Sequence, residues 1–144
     1  MSMGAFCAPE PTVQPAPPPQ PAGVSPEVYQ RTYDTTAGMI KDTVSKIDMA
    51  EASYQDWLTG VDAKGKESAM FATLTKRHEE ILAAFAAAKT KLEAMTAEFE
   101  ANKADPSVEA NTKLANDGMS LNAEANKILN DLHGLKSYQQ QIKR

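Results

Sequence analysis

The chain has a single cysteine, Cys7, so no disulfide can form within it and no cysteine-based zinc signature is available. Aromatic residues make up only 6% of the sequence against 42% hydrophobic residues in all, which leaves Ala, Met, Leu and Ile to carry the apolar load. A sheet would call for more Val, Ile, Thr and aromatics; an aliphatic core of this kind suits packed helices. Excess positive charge is also missing. Fifteen Lys and Arg against nineteen Asp and Glu give a formal net charge of −4. Such a chain gains nothing from counterion release, so nucleic acid is not an expected partner. No apolar run approaches the ~18–20 residues needed to cross a bilayer. There is no Gly-rich phosphate loop, Walker sequence, Ser-His-Asp set, His-Glu-x-x-His or cysteine pair. These absences predict a protein that is not an enzyme and carries no cofactor or metal.

What is present is unevenly distributed. Residues 1–25, together with Pro26, hold eight of the nine prolines. Proline removes a backbone donor and pushes the preceding residue toward extended conformations. The run Pro15-Ala16-Pro17-Pro18-Pro19-Gln20-Pro21 therefore reads as polyproline II within a disordered tail, a spacer of ~3.1 Å per residue. Pro15-x-x-Pro18 and Pro18-x-x-Pro21 have the spacing read by polyproline-binding domains, although no Lys or Arg flanks them.

Residues 26–144 carry three helical patterns. Ser25 is placed to cap the first helix, with Pro26 at its first position. Near-apolar residues then recur every three or four positions: Tyr33, Ala37, Ile40, Val44, Ile47, Glu51, Tyr54, Leu58, Val61. Gly60 suits a left-handed cap, and residues 60–66 read as a connection with Asp62 as a further cap. The second pattern runs Phe71, Leu74, His78, Ile81, Phe85, Ala88, Leu92, Met95, Phe99. Asp105-Pro106 repeats the start device, and Leu114, Gly118, Leu121, Ala125, Ile128, Leu132, Leu135, Gln139 and Ile142 continue the spacing. The expected fold is all-α: an antiparallel three-helix bundle with coiled-coil-like heptad packing, its helices near 26–59, 66–102 and 106–143. The methionines along these helices read as adaptable core filling. In geometry alone, with Trp57 near the end of the first helix, this architecture resembles spectrin-type three-helix repeats.

Two polar residues interrupt apolar seams, Glu51 and His78. Folding the first two helices about residue 63 or 64 puts His78 opposite residues 49–50, one step from Glu51. Folding the next pair about 104–105 puts Asp131 near His78. The expected result is a polar layer of Glu51, His78 and Asp131, read either as a device that fixes register or as a pH-sensitive latch or metal half-site. His133 reads as a surface residue. Cys7 is a candidate for lipidation, since Gly4-Ala5-Phe6-Cys7 before a proline-rich spacer looks like the start of a bacterial lipoprotein's mature tail. Phe6, however, stands where a small residue is wanted.

Two functions follow as expectations. One is a structural or adaptor subunit that tethers through its tail and presents helical faces to protein partners in a larger assembly. The other is an exported cell-envelope binding protein, lipid-anchored at Cys7, whose proline spacer holds the helices away from a membrane.

Overall fold

The computed structural model describes residues 23–142. These are mostly helical and contain no strand; one isolated bridge joins Gly23 to Ser107. The elements in order are α1 (Pro26–Thr59), α2 (Ala63–Lys66), α3 (Ala69–Asn102), α4 (Val108–Gly134) and α5 (Lys136–Gln139). The proline-rich stretch, with Cys7, Pro15, Pro18 and Pro21, lies outside the described residues, as do Lys143 and Arg144. Among the described residues no helix is long and apolar enough to cross a membrane.

Each long helix begins on a serine. Ser25 accepts from the Val28 amide, Ser68 from Phe71 and Ser107 from Ala110, each satisfying one of the free donors of a first turn. Four features of the helix ends differ from the sequence reading. The second long helix starts at Ala69 rather than 66, because Asp62 caps a separate single turn, α2, by accepting from the Gly65 amide at 2.7 Å. Gly60 closes α1 with φ −91° and ψ −2°, a right-handed conformation and not the left-handed one. Asp105-Pro106 does not start α4; Pro106 is buried ahead of the Ser107 cap, and its carbonyl accepts from the Val24 amide at 3.1 Å. The last helix also stops at Gly134, with α5 as a separate turn after Leu135.

The long helices pair in different ways. Between α1 and α3, Tyr33 meets Thr96 and Glu51 meets His78, so the partners' numbers run in opposite senses. Between α3 and α4, Lys91 meets Glu124 and Glu98 meets Lys113, again in opposite senses. Between α1 and α4 the numbers run together: Thr36 lies against Gly118 and Thr43 donates to Asn122. That seam is made of small residues and is the most intimate of the three. Aromatic and large aliphatic side chains of α3, among them Leu74, Ile81, Phe85 and Phe99, fill the other side of the core. The methionines divide. Met95 is buried and Met70 half-buried, but Met39, Met49 and Met119 are exposed and do not fill the core.

Candidate functional site

Glu51 and His78 do come together. His78 Nε2 and Glu51 Oε1 are 2.6 Å apart, with the imidazole almost wholly enclosed and the carboxylate half-buried. The second carboxylate oxygen accepts from Gln55 Nε2 at 2.7 Å, one helical turn further along α1. Tyr54, three residues after Glu51, stacks on the imidazole with centroids 3.9 Å apart and planes 15° from parallel. Trp57 closes the end beyond it, 5.7 Å from the Tyr54 ring and tilted by 45°. The helical repeat produces this set: positions 51, 54 and 55 project from neighbouring parts of one turn, and α3 brings His78 to the same level.

Burial raises the Tyr54 phenol above its ordinary value, and the Glu51 carboxylate beside it adds to the shift. Both causes favour the neutral phenol. A group whose pKa is higher in the folded chain contributes stability that is complete below the unfolded pKa and is lost as pH rises through the folded one. Between these two values, above about pH 10, the fold is therefore expected to lose stability as pH rises. Absorbance at 295 nm should show late phenolate ionisation whose amplitude Tyr54→Phe reduces, together with weaker alkaline loss of helix in the variant. A titration unchanged by the substitution would assign the shift elsewhere.

Asp131 is not part of this layer. It is exposed, pairs with Lys127 at 2.8 Å and lines a groove between α3 and α4 beside Arg77 and Tyr138. The reason is the start of α4. Because Ser107 and not Asp105 caps it, the α3–α4 pair folds about residues 106–107, and the register moves by about one turn. Leu135 rather than Asp131 reaches the level of His78, and it is buried. The α1–α3 pair folds about 64–65, close to the expected point, so Glu51 was found. His133 is exposed, on the rim of a recess that also holds Tyr54 and Lys136.

The layer's chemistry is that of a closed contact. The imidazole and carboxylate already satisfy one another, and an aromatic ring covers the imidazole. Among the described residues no group of three or more His, Cys, Asp or Glu converges on a point, whereas a structural zinc site takes four ligands. A slip of α3 along α1 by one turn would take His78 away from Glu51, which keeps only Gln55 on its own helix, at the cost of a buried imidazole left unpaired. Tyr54 and Gln55 are the site residues that the sequence reading missed. Their spacing of three and four from Glu51 was the available signal.

No protein-family profile, curated protein or solved structure matches this chain.

Proposed function

We propose that this chain is a non-enzymatic structural or adaptor subunit that tethers through its proline-rich tail and presents helical faces to a larger assembly. In this reading residues 1–25 are the tether and residues 26–144 the support, an antiparallel three-helix bundle with heptad packing. The opposed senses of the α1–α3 and α3–α4 contacts and the spacing of the buried positions support that architecture.

The observation that carries the functional reading is the junction between the two parts. Just before α1 the backbone is fastened sideways to the α3–α4 connection: the Val24 amide donates to the Pro106 carbonyl at 3.1 Å, and Gly23 bridges to Ser107. Gly23 lies so close that a Cβ there would stand 2.7 Å from the Pro106 oxygen. Tension arriving from the proline-rich segment would load two elements at once, rather than peel α1 from its end. The junction suits a tether.

The test is affinity capture from native extract with the full chain and with a chain lacking residues 1–22, which keeps the junction. Equal melting curves establish that the shortened chain is folded. The expected result is loss of specific partners on deletion. Capture of the same set by both chains would overturn the tethering role.

A further inference from the structure

The charges of α4 are segregated. At ~100° per residue, all six of its Asp, Glu and Lys residues fall within about 80° of the helix circumference. Four of them, Lys113, Asp117, Lys127 and Asp131, pair with one another along the helix, and Glu124 pairs with Lys91 of α3. From the seam with α1 outward, over about 160°, α4 carries no charged residue at all. Asn122, Asn126 and Met119 stand on this arc. The adjoining flank of α1 matches it, with Val28, Thr35 and Met39 exposed and two charges, Asp42 and Lys46, which pair with each other at 3.3 Å.

The two flanks form one face. Because α1 and α4 run in the same sense with Thr36 against Gly118, Met39 and Met119 stand at nearly the same level on either side of the seam. Their exposures are 44% and 66%. Val28 and Val108 stand in the same relation one end further, both exposed. Among the described residues nothing covers the face: α3 packs on the opposite side, and α5 contacts α3 and α4.

We propose that this outer α1–α4 face is the docking surface for a second copy of the chain. Electrostatics selects the occupant. Two copies each carrying a net charge of −4 repel, and they approach at least cost along a face that holds almost no charge. A partner chosen by charge would instead meet the mixed ion pairs of α3 and the charged arc of α4. Area agrees. The 27 residues of α4 span ~40 Å, and two neighbouring helices present ~20 Å of width, or ~800 Å² per copy. A standard-size interface buries about 800 Å² from each partner. Met39 and Met119 lie near the middle of α4's length, so a two-fold axis through the centre stacks the methionines of both copies on one another, with Asn and Thr forming a polar rim. Unbranched methionine adapts to such a contact.

This inference rests on the adaptor reading only in that both require an exposed helical face. The test is sedimentation equilibrium of the full chain over a dilution series. Wild type is expected to dimerise. The double substitution Met39→Lys and Met119→Lys places four like charges at the centre of the pair, and should weaken dimerisation by about a hundredfold or more. Both positions are exposed, so the helix signal and melting curve should be unchanged. Met49→Lys is the control: Met49 is 69% exposed but lies ten residues, ~15 Å, further along α1 than Met39 and about 80° round the helix from it, away from the centre of the face, so dimerisation should be affected far less. A wild type that remains monomeric at every concentration overturns the proposal. So does a double variant that dimerises as well as wild type, or equal weakening by Met49→Lys. A monomer that still captures tail-dependent partners would fail this inference and leave the adaptor reading standing; a dimer with no such partners would do the reverse.

Discussion

Replacing Gly118 with valine is expected to lower the unfolding free energy by about 3 kcal/mol. Gly118 is buried where α4 approaches α1, and a Cβ at that position would stand 1.5 Å from Thr36 Cγ2 and 2.9 Å from Thr36 Cβ. Thr36 has little room to yield. It is buried, its hydroxyl is committed to the Thr32 carbonyl, and a β-branched side chain in a helix has few rotamers. The helices would have to separate, which also strains the Thr43–Asn122 hydrogen bond. Helix propensity alone argues the other way, since an interior glycine costs about 1 kcal/mol relative to alanine. The two effects can be separated. A Cβ at Gly38 in α1 meets nothing within 4 Å, so Gly38→Ala should stabilise by about 0.5–1 kcal/mol. Gly118→Ala should destabilise, and adding Thr36→Ala should recover most of that loss. Urea denaturation followed by circular dichroism measures all four chains. A gain at Gly118→Ala equal to that at Gly38→Ala would show that α1 and α4 do not meet closely there.

Phe99→Ala is expected to cost about 3–5 kcal/mol. Phe99 is buried near the end of α3 and stacks with two tyrosines of α1, Tyr33 at 4.2 Å and Tyr29 at 5.1 Å between centroids. Its removal forfeits the burial of one ring and both stacking contacts, each worth about 0.5–1.5 kcal/mol beyond area. The cavity would open beneath Tyr29, whose phenol burial raises above its ordinary pKa, with Glu98 adding to the shift. Truncation should therefore also bring the Tyr29 phenol closer to its usual range, a second readout by alkaline titration. Phe71→Ala, at a half-buried position near the start of α3, should cost less. Equal losses at the two positions would mean that the aromatic stack contributes nothing beyond the burial of one ring.

The three long helices were legible because their signals are local. Ser25 and Pro26 announce α1 at the residue where it starts, and the three-and-four spacing of Ile40, Ile47, Leu74, Phe85, Leu121 and Ile128 marks the buried side of each helix. Glu51 and His78 stood out as polar residues on those seams, and a turn near the expected place was enough to pair them. The start of α4 was misplaced because two cap signals adjoin, Asp105-Pro106 and Ser107. Local preference does not choose between them. The choice comes from Pro106, whose ring is buried and whose carbonyl is taken by Val24, a residue more than eighty positions earlier. From that displacement followed the separation of Asp131 from His78.

The sequence by itself determined that this protein is helical, where α1 begins and which side of each helix is buried, because caps and apolar periodicity act within a turn or two. The tertiary structure alone decided that Gly118 serves the close approach of Thr36, that Tyr54 covers His78, and that the sparsely charged flanks of α1 and α4 join into one face. Those outcomes depend on register between helices, and register is set by the summed fit of side chains that lie far apart in the chain.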